Sequence, residues 1–184
     1  MEIVMSARFA LRSATSDAHE RLDALFSRFD LTDRAGYGDF LRAQAGAFPG
    51  VEAALDAAGA GDLLPDWKAR RRAEALESDL TAMGLTAPVA VPAPAFVTEA
   101  EVLGGAYVLE GSRLGGAMLI RSVPDDLPRS FLSPGNPAAW RAFVAVLDQR
   151  LSSPASVDAA IMAATAVFEV FTLSACGVPG AERT

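Results

Sequence analysis

Apolar residues recur every three or four positions along most of the chain, which is the spacing of an amphipathic helix. The predicted helices cover residues 6–29, 33–58, 65–83 and 98–123, and two more are predicted to begin near residues 136 and 153. The apolar side of the first helix contains Phe9, Leu22, Leu25, Phe26 and Phe29. No alternating apolar and polar run is followed by a hairpin turn, so the pattern predicts an all-α fold.

Proline, glycine and capping residues predict where these helices break or end. Pro49 is expected to kink or interrupt the second helix, because proline has no backbone donor. Gly59 and Gly61 are expected to end it. Thr98, with Glu101 three residues later, has the pattern of a capping box and predicts the start of the fourth helix.

Residues 86–97 contain three prolines and are predicted to be an extended connection within one domain. The length of 184 residues fits one domain with a sizeable core. The sequence therefore predicts a single all-α domain over residues 1–184, built as a bundle of about six helices. The three consecutive arginines 70–72 are predicted to lie in the solvated part of the third helix.

Composition and charge narrow the possible partners and the location. Hydrophobic residues make up 51% of the chain, charged residues 21%, and the net charge is −7. This acidic balance argues against nucleic acid and anionic membranes, which reward clustered Lys and Arg. Cys176 is the only cysteine, so no disulfide forms within the chain. With no signal-peptide pattern in residues 1–13, a cytoplasmic location is expected.

His19 is the only histidine and the main candidate for metal chemistry. Asp23, four residues later on the same helical face, is placed to accept the imidazole Nδ1–H, which would leave Nε2 free to bind a metal. Arg12, two turns earlier, is placed to meet a carboxylate near the same surface. The alternative is an ordinary surface histidine with a neighbouring carboxylate. One His and one Cys exclude a closed zinc site.

The fourth predicted helix is unusually rich in glycine, with residues at positions 104, 105, 111, 115 and 116. Each glycine in a helix interior costs about 0.5–1 kcal/mol relative to alanine. Gly104, Val108, Gly111 and Gly115 follow a 4-3-4 spacing, so one helix face carries few side chains. Either another helix packs closely there, or a flat or bulky ligand does.

Two blocks of sequence together resemble a known family. The block Gly105-Ala-Tyr-Val-Leu-Glu-Gly-Ser-Arg-Leu-Gly-Gly116 resembles the distal helix of bacterial haem oxygenases, especially those associated with phytochromes. The block Leu11-Arg-x-Ala-Thr-x-x-x-His19-x-x-Leu-Asp23 resembles their proximal helix. The last helix, with Ala163-Ala164 and Phe168-Glu-Val-Phe171, is similar to the family's closing helix. The resemblance extends over residues 9–176.

The resemblance implies a haem oxygenase-like fold with haem b held between the two helices. His19 would be the axial iron ligand, with Asp23 beside it, and Arg12 would pair with a haem propionate. Gly111, Gly115 and Gly116 would let the distal helix approach the porphyrin. The family cleaves haem, which is both cofactor and substrate, to biliverdin, CO and ferrous iron. Electrons come from an external donor, such as ferredoxin with its reductase, or ascorbate in vitro, and a bacterial phytochrome is a conceivable recipient of biliverdin.

Ser112 stands where many family members carry an aspartate that orders the distal water network. A serine hydroxyl still holds water but brings no negative charge. This departure keeps a second hypothesis open, in which the same fold is a haem sensor or carrier without turnover. A third hypothesis is a helical interaction protein that binds no haem. The haem hypotheses require that His19 does not point into solvent and that no neighbouring helix fills the bare glycine strip.

Overall fold

The computed structural model describes residues 6–179, and within this range it contains α-helices and no strand. The helices are α1 (Ala7–Ala14), α2 (Ser16–Phe26), α3 (Arg34–Ala45), α4 (Phe48–Ala57), α5 (Ala60–Leu63), α6 (Trp67–Arg70), α7 (Ala73–Met83), α8 (Glu99–Leu119), α9 (Pro137–Arg150) and α10 (Pro154–Gly177). The predicted all-α class is therefore confirmed. Three of the six predicted helices are each divided into shorter ones.

The first predicted helix breaks at Thr15, which separates α1 from α2. The buried Thr15 hydroxyl donates to the Leu11 carbonyl oxygen at 2.8 Å, where it competes with the helical backbone bond. The predicted apolar side is also only partly inside. Phe29 is buried, Leu22, Leu25 and Phe26 are half-buried, and Phe9 is exposed.

The second predicted helix breaks just before Pro49, which lies in the first turn of α4, where its missing donor has no helical partner to lose. Gly59 adopts a φ of +86°, a left-handed conformation that suits glycine, and follows the end of α4 as expected. Gly61, predicted as a second stop, lies inside the short helix α5.

The third predicted helix breaks between α6 and α7, at Arg71 and Arg72. Arg71 has extended backbone, with a φ of −65° and a ψ of 141°. The prediction that arginines 70–72 are solvated is wrong for two of the three, because Arg70 and Arg72 are buried. Their burial follows from contacts with α4 and α8, which are described below.

The later helices follow the sequence pattern closely. Thr98 and Glu101 form the predicted capping box at the start of α8. Asn136 caps α9, and Ser153 caps α10 with Pro154 in its first turn. Residues 86–97 have no regular secondary structure, and Val91 N–H donates to the Gly46 carbonyl oxygen, which ties this connection to the end of α3.

The core is one cluster of apolar side chains with α10 at its centre. α10 packs along α8 and also contacts α1, α2 and α3. By length and composition alone α10 would be able to cross a membrane, but half of its most apolar window is buried among these helices. This burial is typical of the core helix of a globular protein. The helix that bears His19, α2, and the glycine-rich helix, α8, thus both pack against α10.

Candidate functional site

His19 lies on α2 with its imidazole 61% exposed. Its Nδ1 is 3.0 Å from Asp23 Oδ2, the predicted pairing one helical turn away. The ring meets the buried Phe168 of α10 edge-on, with 5.9 Å between ring centroids. Asp23 therefore fixes the ring through Nδ1 and leaves Nε2 available to a ligand. This exposure also fits a surface histidine, so the environment on α8 is needed to interpret it.

The glycines of α8 divide into a packed set and an open set. A β-carbon at Gly104 would overlap the Ala160 carbonyl oxygen of α10 and lie 2.8 Å from the Ala160 Cα, far inside contact distance. A β-carbon at Gly105 would lie 2.7 Å from Phe96. At these two positions glycine is needed for close packing, and Gly104 leaves no room for a ligand.

Gly111 and Gly115 are different, because a β-carbon at either position would meet no atom of another part of the described chain within 4 Å. Gly116, which the sequence grouped with them, is placed against Leu132, 3.3 Å from the position of its absent β-carbon. The structure therefore reduces the bare face to an open glycine strip, which we define as Gly111 and Gly115. No neighbouring helix fills this strip.

Arg12 is exposed on α1, one turn after Arg8, whose guanidinium lies 5.5 Å from the centroid of the Trp140 ring. Both arginines act electrostatically on Tyr107 of α8. Burial raises the pKa of Tyr107, and the positive charges of Arg8 and Arg12 oppose this increase. This end of α8 therefore faces two cations from α1. Arg8 was not assigned from the sequence, because only the folded chain brings it near Tyr107.

Ser112 is half-buried, and its hydroxyl forms two hydrogen bonds within the protein. Its hydroxyl donates to the Leu109 carbonyl oxygen at 2.8 Å and accepts from Arg72 Nη2 at 2.6 Å. A serine oxygen has one proton and two lone pairs, so one lone pair stays available to accept from a water molecule. Ser112 is therefore able to hold a water molecule, as predicted, only by accepting a hydrogen bond from it.

Arg72 is a residue of this region that sequence reasoning missed. It is 6% exposed, and its guanidinium lies 4.6 Å from the ring centroid of Phe48 and 5.0 Å from that of Phe131. Burial, followed by repulsion from Arg113, lowers its pKa to about 9, so Arg72 is positively charged at neutral pH. A triple-arginine run shows no periodicity that would single out its third member.

Buried carboxylates fix this arginine run. Glu52 of α4, 2% exposed, accepts from the backbone N–H groups of Arg72 at 2.6 Å and Ala73 at 3.3 Å, so it caps α7 from another helix. Arg70 Nη1 donates to Glu110 Oε2 of α8 at 2.7 Å, and both side chains are almost fully buried. Charged side chains thus hold the side of α8 that carries Glu110 and the Leu109 carbonyl.

A cavity of about 600 Å³ lies beside this ion pair, lined by Arg70, Glu110, Arg113, Leu114 and Trp140 among others. Neither His19 nor the open glycine strip lines it. In residues 6–179, no group of three or more His, Cys, Asp and Glu residues is arranged to hold a metal ion.

Comparisons with known proteins agree on one family. A curated protein named heme oxygenase from Xanthomonas campestris pv. campestris is 40% identical over an alignment 112 residues long, which covers 57% of this chain and 67% of that protein. The NO- and CO-bound heme oxygenase from Neisseria meningitidis has a similar solved structure, with a TM-score of 0.80. That match covers 98% of this chain and 96% of the other, at 22% identity. No protein-family model matches the chain.

Proposed function

The chain belongs to the haem oxygenase family, and on that basis we propose that it cleaves haem with O₂ and electrons from an external donor, giving biliverdin, CO and ferrous iron. One structural observation carries the assignment of the site: Gly111 and Gly115 leave a strip of α8 open. Membership in an enzyme family favours turnover over the sensor or carrier hypothesis.

The donor set fits a haem. His19 would supply a nitrogen ligand to the haem iron through Nε2, since Asp23 orients the ring through Nδ1. The open glycine strip would admit the flat macrocycle against the backbone of α8. Arg12 would pair with a propionate, because it is an exposed cation on the helix next to Tyr107. The bound haem supplies the iron that activates O₂ and the ring that is cleaved.

The residues of the protein would bind and orient the haem and would leave the space beside α8 free of bulky side chains. Because Gly111 and Gly115 have no side chains, only backbone would approach a bound haem there. Ser112 would hold a water molecule beside this backbone through its remaining lone pair. Gly116 supports the same helix against Leu132.

We further propose haem b as the bound form, ferredoxin with its reductase as the donor, which ascorbate can replace in vitro, and a bacterial phytochrome as a recipient of biliverdin. A cytoplasmic location and a single domain over residues 1–184 accompany this proposal. The acidic net charge of −7 supports the expectation that neither nucleic acid nor an anionic membrane is a partner.

Titration of the full chain with hemin, followed by absorbance, tests the function. We expect one haem per chain, a Soret band that is lost in His19→Ala, and no loss in the control Glu20→Ala, a neighbouring exposed residue of α2. Reduction with ascorbate in air should then produce biliverdin and CO. A Soret band that persists in His19→Ala would refute the ligand assignment. A haem complex that reduces but yields neither product would refute the enzymatic function.

A further inference from the structure

The hydrogen bonds around Leu109 differ from those of an ordinary helical turn. In an α-helix the Leu109 carbonyl is the acceptor position for the Arg113 backbone N–H. Here it also accepts from Arg72 Nη2 at 2.8 Å and from the Ser112 hydroxyl at 2.8 Å. We call this group of Arg72, Ser112 and the Leu109 carbonyl the Arg72 clasp. Gly111, the first residue of the open glycine strip, lies between Leu109 and Ser112 in sequence.

The guanidinium of the clasp is itself held from several parts of the chain. Two aromatic rings contact the Arg72 guanidinium, that of Phe48 on α4 and that of Phe131 in the connection before α9. Glu52 holds the Arg72 backbone, and the buried carboxylate of Asp79 on α7 accepts from Phe131 N–H at 2.8 Å. A long flexible side chain is therefore fixed in one place, so its hydrogen bonds to α8 lose little further entropy on forming.

The clasp acts on the part of α8 with the weakest intrinsic preference for helix. Gly111 lies within the clasped turn and Gly115 one turn beyond it, and glycine is the poorest helix former apart from proline. Neither gains stability from a packing contact elsewhere in the described chain. The turn from Leu109 to Ser112 is therefore anchored to the protein body, and Arg113 extends this anchor because its Nη2 donates to the Arg70 carbonyl oxygen. For the residues of α8 after Arg113, the contact of Gly116 with Leu132 takes the place of such a hydrogen bond.

We propose that Arg72 is a positioning residue: it anchors the Leu109–Ser112 turn of α8 to the protein body, so that bending of this helix over haem is confined to the residues after Arg113. This inference rests on the proposed function for its catalytic consequence, but the anchoring itself belongs to the protein without haem. Arg72 does not touch the substrate and acts through the backbone of α8 and the Ser112 hydroxyl.

Hydrogen–deuterium exchange of the haem-free chain tests the anchor directly. In Arg72→Met the backbone amides of residues 113–117 should exchange about tenfold faster, as expected when a charge-assisted hydrogen bond of about 1.4 kcal/mol is lost. Arg72→Lys, which keeps the charge but not the planar fork, should restore part of the protection. The matched control is Arg71→Met, because Arg71 is exposed and pairs with Glu52 and Asp56 rather than with α8.

Exchange that is unchanged in Arg72→Met, or that accelerates equally over the whole chain, would overturn the proposal. If Arg72→Met does not fold, Ser112→Ala removes another member of the clasp at a half-buried position and should accelerate the same amides. The haem-loaded protein gives the second measurement. Arg72→Met should lower the rate of haem conversion while hemin affinity stays within about twofold of wild type. Wild-type conversion together with faster exchange would refute the positioning role, even with the family function intact.

Discussion

Alanine substitutions at Gly104 and at Gly111 of α8 should change the free energy of unfolding in opposite directions. A methyl group at Gly104 would lie 2.8 Å from the Ala160 Cα, whereas carbon atoms in contact are about 3.5–4.0 Å apart. α8 and α10 would have to separate by roughly 1 Å. Overpacking against backbone atoms, which cannot rotate aside, falls in the upper part of the usual range, about 2–3 kcal/mol, and the gain in helix propensity of about 1 kcal/mol offsets only part of it. Gly104→Ala should therefore lower the free energy of unfolding by about 1–2 kcal/mol.

At Gly111 the methyl group enters open space, so only the propensity term acts. Gly111→Ala should raise the free energy of unfolding of the haem-free protein by about 0.5–1 kcal/mol, or the Tm by about 1–4 °C. The same methyl would occupy the strip that haem is proposed to cover. Hemin affinity or haem conversion should consequently fall in Gly111→Ala, although the protein is more stable. Gly115→Ala should behave in the same way.

Urea unfolding of the haem-free variants, followed by circular dichroism, measures the stabilities, and an unchanged m-value shows that the midpoints are comparable. Hemin titration of the same preparations measures affinity. If Gly111→Ala destabilised the haem-free protein as much as Gly104→Ala, the strip would not be open. If neither Gly111→Ala nor Gly115→Ala altered affinity or conversion, haem would not lie against this strip.

Two further predictions concern buried groups away from the strip. Glu52→Gln should lower the free energy of unfolding by about 2 kcal/mol, because a buried charge-assisted cap of α7 is lost, whereas Glu74→Gln on the exposed first turn of α7 should change it little; urea midpoints test both. Burial and the charge of Asp79 raise the pKa of Tyr37, so its phenol keeps its proton in the folded chain while the unfolded chain ionises near pH 10. The contribution of Tyr37 to the free energy of unfolding should therefore be complete below about pH 10 and decrease as the pH rises further. Tyr37→Phe should flatten this decrease, measured as urea midpoints between about pH 8 and pH 11. An equally steep decrease in the variant would contradict the assignment.

Local sequence signals were sufficient where a helix end depends on its own residues. Thr98 with Glu101 and Ser153 with Pro154 carry their capping partners within three residues, and the structure forms both caps. The His19–Asp23 pair was predictable for the same reason, since helical spacing alone brings the two side chains together. Membership in the family also followed from two short blocks, which the comparison with the Xanthomonas protein confirmed.

Interactions between distant residues were beyond such signals. The break between α6 and α7 depends on Glu52, which lies about twenty positions earlier and caps α7 from α4. The same is true of Arg72, a surface residue by its sequence neighbourhood, which Phe48 and Phe131 enclose after folding. Sequence spacing placed Gly104 and Gly111 on one face. Only the position of Ala160 decides that the first is packed and the second is open.

The division among the glycines of α8 gives the strongest physical reason to expect a ligand. Gly104 and Gly105 have poor helix propensity, but each permits a close contact within the protein that a methyl group would prevent. Gly111 and Gly115 carry the same disadvantage, together about 1–2 kcal/mol, with no such contact in the described chain. Alanine at these two positions would favour the haem-free fold, and a haem that lies against the backbone, as proposed above, would account for the two glycines. The Arg72 clasp secures the adjoining turn of a helix that these glycines would otherwise weaken.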